Sequence, residues 1–155
     1  MTHNEIADTL AELFGTSAIK VLAPGSWQVE TSTFRLLILL SEDQTWLRVL
    51  LPIMPSQQAQ PFLQQFLEAN FDDTQQVRYA LHQDVLWGVF QHSSTSLVEE
   101  DFRDAIARLI ALYEVGLDDA FNQLTETKIK QIVQASKQQG QSLEATMQNL
   151  ERFYA

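Results

Sequence analysis

The chain has 155 residues, 20 acidic against ten basic side chains, a formal charge of −10 and no cysteine. The missing cysteine excludes thiol catalysis, thiolate zinc sites and a disulfide scaffold. A strongly acidic field repels phosphate, and the cations Arg35, Arg48, Arg78, Arg103, Arg108 and Lys137 are scattered along the sequence, so nucleic acid and anionic membranes are excluded as expected partners. The length suits one domain able to bury about 70% of its unfolded surface. The longest apolar run, Leu36 to Leu40, is far shorter than the roughly 20 residues that span a bilayer. Residues Met1 to Phe14 carry Glu5, Asp8 and Glu12 rather than the basic start of a signal peptide, so a cytoplasmic location is expected.

In chain order, Thr2-His3-Asn4-Glu5 has the form of a capping box. Ile6, Leu10 and Leu13 follow on one helical face, and Gly15 closes this first helix. Pro24-Gly25 marks a turn, after which Trp27, Val29 and Thr31 alternate as a strand. Phe34–Leu40 and Thr45–Leu51 flank Ser41-Glu42-Asp43-Gln44, which reads as a hairpin loop. Pairing Leu40 with Thr45 sets Ile38 against Leu47, Leu36 against Val49 and Phe34 against Leu51. One face is then wholly apolar, while the other carries Leu37, Leu39, Trp46 and Leu50, interrupted by Arg35 and Arg48. A half-solvated antiparallel sheet alternates cleanly between apolar and polar. This hairpin does not, so its second face needs a cover: the chain's own helices, a second subunit or a client.

Pro52 and Pro55 close the strand region, and Pro61 stands near the start of a second helix with Phe62, Leu63, Phe66 and Leu67 as its stripe and Asn70 as its end. Phe71 to Gln76 reads as a polar connection. Val77, Tyr79 and Leu81 alternate as a strand, and Leu86–Gln91 returns. A three-residue loop at Gln83–Val85 buries Trp87 with Tyr79 and is preferred; a two-residue loop opposes Tyr79 to Gly88 and turns Trp87 away. Ser96-Leu97-Val98-Glu99 is a second capping box, opening a long helix with Phe102, Ile106, Leu109, Tyr113 and Leu117 at helical spacing and Phe121 and Leu124 beyond. A bend or break in that helix is expected at Gly116. Two shorter helical patterns follow, one with Ile129, Ile132 and Val133, the other from Ser142 with Leu143, Met147, Leu150 and Phe153.

No chemistry is written in these residues. His82 and His92 are set about 30 Å apart by ten residues of extended chain, and no HxH or HExxH spacing includes them or His3. The carboxylate pairs Asp72-Asp73 and Asp118-Asp119 lack a facing partner in sequence, and Glu99-Glu100-Asp101 complement the positive end of the long helix. Neither a G-x-S-x-G elbow nor a phosphate-binding glycine loop occurs. No cofactor, metal or catalytic residue is therefore expected. Trp27, Trp46 and Trp87 all fall on strands, and Trp46, on the hairpin face without an assigned partner in the sheet, is the one suited to anchor an interface.

The fold class expected is α+β: an antiparallel sheet of about five strands in the order α-β-β-β-α-β-β-α, with C-terminal helices. This order, carried by Ile6, Leu10 and Leu13, the Phe34–Leu51 hairpin, the Phe62–Leu67 helix, the second hairpin and the Phe102–Leu117 helix, resembles the class I type III secretion chaperones of the Tir chaperone type. It is similar also to YbjN-like proteins and to chaperone-like proteins of cyanobacteria and plastids. The resemblance covers about Ile6 to Leu124. It implies a chaperone-like domain over 1–124 and sets apart 125–155 as a helical extension packed on the same domain. It further implies a homodimer that holds an extended client on hydrophobic sheet patches without ATP, a use to which Leu37, Leu39, Trp46 and Leu50 are suited. The reading is thus a non-enzymatic protein-binding module. Its rivals are a regulatory or assembly factor docking through the acidic long helix, and an enzyme whose site motif reading does not reveal.

Overall fold

The structure is a computed structural model and describes residues 1–115. Helix α1 spans His3–Phe14 and opens as its sequence dictates: Thr2 Oγ1 accepts from the Glu5 N–H at 3.2 Å, while the Glu5 carboxylate accepts from the Thr2 N–H at 3.4 Å. Ile6 and Leu10 are buried and Gly15, at φ +79°, ends the helix.

Four strands follow: β1 (Ile19–Ala23), β2 (Ser26–Glu30), β3 (Arg35–Leu40) and β4 (Trp46–Pro55). Strand β1 adds to the strands expected from sequence. The Pro24-Gly25 dipeptide that announces a turn has a strand on each side, pairing Ala23 with Ser26, and Gly25 takes a positive φ of 79° with its carbonyl accepting from the Leu40 N–H at 2.8 Å. A short helix α2 (Ser56–Ala59) and a single 3₁₀ turn lead into α3 (Leu63–Asp72), then β5 (Arg78–His82), β6 (Val85–Ser93) and helix α4, residues 99–115. The fold is α+β, and the six strands form one open antiparallel sheet in the order β1-β2-β3-β4-β6-β5.

Among the described residues the three main helices, α1, α3 and α4, pack on one face of this sheet. Trp27, Val29, Leu36, Ile38, Leu47, Val49, Leu51, Leu86 and Phe90 point to that face and are buried. They meet Ile6 and Leu10 of α1, Phe66 of α3, and Phe102, Ala105, Ile106 and Leu109 of α4. Among the described residues Phe102 is the largest fully buried side chain, and removing such a side chain from water contributes about 3 kcal/mol. Gly88 lets α4 approach the sheet, since a Cβ there would lie 3.1 Å from Leu109 Cδ2. Arg103 of α4 bridges Glu99 at 2.8 Å and also Glu12 of α1.

Several local expectations are corrected. In the β3–β4 hairpin Leu40 pairs with Leu47 and Ile38 with Val49, two residues from the expected register. The loop begins one residue later than expected: the Ser41 N–H donates to the Trp46 carbonyl at 2.9 Å, and Ser41 Oγ accepts from the Thr45 and Trp46 N–H groups. Because side chains alternate with period two, this shift leaves each side chain on its expected face. In the β5–β6 hairpin the loop has two residues, not three. His82 pairs with Val85 and Tyr79 with Gly88, with Gln83 and Asp84 both at positive φ, as a primed turn requires. Tyr79 packs on Phe66, and Trp87 faces away from the helices.

In α3 the apolar stripe is only half used. Phe62 and Phe66 are buried, but Leu67 is 69% exposed and Phe71, inside the helix, 92% exposed. The helix runs past Asn70, whose side-chain amide instead clamps Tyr79: Nδ2 donates to the Tyr79 carbonyl at 3.0 Å and Oδ1 accepts from its N–H at 2.7 Å. Helix α4 starts at residue 99, later than the Ser96 box predicts. The Leu97 carbonyl is taken by the Met1 amino group at 3.0 Å, and the Phe102 N–H closes the first helical turn on the Val98 carbonyl at 3.1 Å. The expected course of this helix beyond residue 115, the bend at Gly116, the boundary at 124 and the two shorter helices lie outside the described residues.

Candidate partner-binding face

The sheet's second face is built by strict alternation. Every second residue of β2 to β6 turns away from the helices, and the cross-strand pairs tell which of them are neighbours. One row runs Gln28–Leu37–Leu50–Val89–Arg78. Beside it on one side lies Pro52–Trp87–Ala80, and on the other Ser26–Leu39–Arg48–Gln91. Trp46, paired with Ser93, closes the end of β4.

Leu37, Leu39 and Leu50 therefore share this face, as their spacing predicts, and each is half-buried by its neighbours within the sheet. Trp46 is 44% exposed and stands beyond Arg48, separated from the leucine row. The centre of the face is set by Trp87, which the sequence reading buries with Tyr79, by Pro52, which it sets at the end of the strand region, and by Val89. Trp87 is half-buried, and its indole N–H donates to the His82 carbonyl at 2.9 Å, which ties the ring to the end of β5. A shallow depression of about 200 Å³ lies here, lined by Arg48, Leu50, Ala80, His82, Trp87, Val89 and Gln91. Its walls are mainly apolar, with Arg48, His82 and Gln91 as the polar groups.

Pro52 sits beyond the last β3–β4 pair, at the bulge between Pro52 and Met54, where an absent N–H costs the ladder little. Helices α1, α3 and α4 all bury residues on the opposite face, so none of them covers this one.

The sheet separates the histidines too. His82 lines the depression, His3 packs at a tilt against Trp27 with ring centroids 4.9 Å apart, and His92 stacks on Phe90 on the helix-bearing side. Among the described residues no group of His, Asp and Glu could hold a metal ion. No helix among them is long and apolar enough to cross a membrane.

No protein-family model matches the sequence. No curated protein matches it either. Solved structures do match in fold. A chain of the ExsC–ExsE complex superposes with a TM-score of 0.55 at 15% identity, covering 73% of this chain and 91% of the other. The Yersinia pestis type III secretion chaperone SycH, in complex with a stable fragment of YscM2, gives 0.56 at 15% identity, with 74% and 98% covered. The HopA1–SchA chaperone–effector complex gives 0.51 at 15% identity, with 72% and 92% covered. The chain shares the fold of class I type III secretion chaperones.

Proposed function

We propose that this protein is a non-enzymatic, cytoplasmic protein-binding module that holds a segment of a partner on the second face of its sheet. The observation that carries the reading is the cross-strand row Leu37–Leu50–Val89, flanked by Trp87 and Pro52, on a face that none of the helices α1, α3 and α4 covers. Apolar surface of this kind, with aromatic side chains and a polar rim, is the anatomy of a protein interface. Three proteins of the same fold were solved in complexes with other proteins, which supports the reading. A narrower kinship with YbjN-like proteins and their cyanobacterial and plastid counterparts belongs to the same proposal.

Leu37, Leu39, Trp46 and Leu50 are proposed to contact the partner, joined by Trp87 and Val89. The protein is further proposed to work as a homodimer. Leu67 and Phe71, exposed one turn apart on α3, offer the copies an apolar contact away from the sheet face.

Affinity capture from the native cell, comparing wild type with Trp46→Asp and Leu50→Asp, tests the docking reading. The expected result is a specific partner retained by the wild type and lost with either variant, at unchanged far-UV circular dichroism. A partner retained by both variants places docking elsewhere. If its retention also falls steeply with salt, the acidic outer side of α4 is the docking surface instead.

A further inference from the structure

The charge on the second face runs against the charge of the chain. Residues 1–115 contain six Lys and Arg, and four of them, Lys20, Arg35, Arg48 and Arg78, stand on this face. Of the fifteen carboxylates in the same stretch, only Glu30 is there, paired with Arg35 at 2.9 Å. Glu42, Asp43 and Asp84 lie in the turns beyond the strand ends. Lys20, Arg48 and Arg78 are without an ion-pair partner among the described residues. Arg78 is anchored by its Nη1, which donates to Thr74 Oγ1 at 3.1 Å and to the Val77 carbonyl at 2.7 Å. Arg48 borders the depression beside Leu50, Trp87 and Val89. A cationic, apolar surface is thus set into an otherwise acidic protein.

We infer that this face takes an extended acidic-apolar segment of a partner protein, its carboxylates reaching Arg48, Arg78 and Lys20 while an apolar side chain fills the depression against Trp87. The inference rests on the docking reading above and specifies the chemistry of what docks. Two other occupants fit the charge less well. A second copy placed face to face opposes cations to cations, a like-charge arrangement that disfavours association. Residues 117–155 carry five acids and four cations, close to neutral, and complement the face weakly.

The test uses the full chain and three labelled peptides of one leucine- and phenylalanine-containing sequence, whose intervening positions are all Glu, all Gln or all Lys. Fluorescence anisotropy titrations at low salt should rank the Glu peptide tightest and the Lys peptide weakest. The order should compress at high salt. Arg48→Gln should weaken the Glu peptide roughly two- to fivefold and leave the Gln peptide unchanged, as expected for loss of one exposed ion pair. Arg48→Glu should shift the preference toward the Lys peptide, which damage to folding would not produce. Equal binding of all three peptides, abolished by Leu50→Asp, overturns the charge inference and leaves the docking face standing. Binding of no peptide, or binding that Leu50→Asp does not touch, overturns both. A dimer that Leu50→Asp converts to monomer gives the face to a second copy, and also overturns the inference.

Discussion

Asp43 organises the turn beneath Trp46 with one oxygen. Its Oδ1 accepts from Ser41 Oγ at 2.7 Å, from Thr45 Oγ1 at 2.7 Å and from the Thr45 N–H at 3.1 Å. The Ser41 hydroxyl, and after it the Thr45 hydroxyl and N–H, hold this carboxyl below its ordinary value of 3.8. The unfolded chain accordingly takes up the proton first as pH falls. The turn's contribution to stability is complete above the ordinary carboxylate value and is lost as pH drops through the depressed one. A carbon NMR titration of Asp43 should give a midpoint below 3.8. Asp43→Ala should speed exchange of the Thr45 and Trp46 amides at neutral pH. A midpoint at or above the ordinary value would mean that the hydroxyls do not hold the carboxylate in solution.

The β5–β6 hairpin is held by a turn its residues do not favour. Gln83 at φ +49° and Asp84 at φ +64° both occupy the left-handed region, which costs an L residue such as Gln about 1–2 kcal/mol and glycine almost nothing. The double substitution Gln83→Asn with Asp84→Gly is predicted to stabilise the fold by about 1 kcal/mol or more, read from denaturant midpoints at constant slope. A lowered midpoint would contradict the primed turn. The same hairpin shows why sequence carried only part of the candidate site. Leu37, Leu39 and Leu50 were legible because alternation assigns faces whatever the register, and the β3–β4 ladder slipped by two residues without moving them. Trp87 was not, because its face turns on whether the loop has two residues or three. Burying an indole with Tyr79 favours the three-residue loop, whereas hairpins ordinarily prefer two residues. Strand β1 was equally hidden: Ile19-Lys20-Val21 alternates too briefly to stand out, although a two-residue turn at Pro24-Gly25 requires a strand on each side. Leu67 shows a further limit, since helical spacing gives a stripe without saying which part of it meets the core, and Phe71, read as the start of a polar connection, proves to lie inside α3.

For the whole molecule, the proposed homodimer makes a prediction independent of the sheet face. Light scattering at micromolar concentration should give about twice the chain mass of 17.7 kDa, and Phe71→Ser should return it to the single-chain value. A wild-type mass near 17.7 kDa removes the dimer and leaves the sheet face untouched. Because Phe71 is exposed in the single chain, the substitution should leave the free energy of unfolding within about 0.5 kcal/mol of wild type once dissociated. The clamp of Asn70 on Tyr79 acts on this scale as well. A strand at the border of a sheet presents free amides and carbonyls on which another chain can build. At the β5 border the Asn70 carboxamide imitates a neighbouring strand and takes both groups of Tyr79, whereas β1 has no such stopper among the described residues. Border-to-border joining of copies through the described sheet is therefore hindered at Tyr79 of β5. A single side-chain amide in this way works against the endless ribbon that an open six-stranded sheet invites.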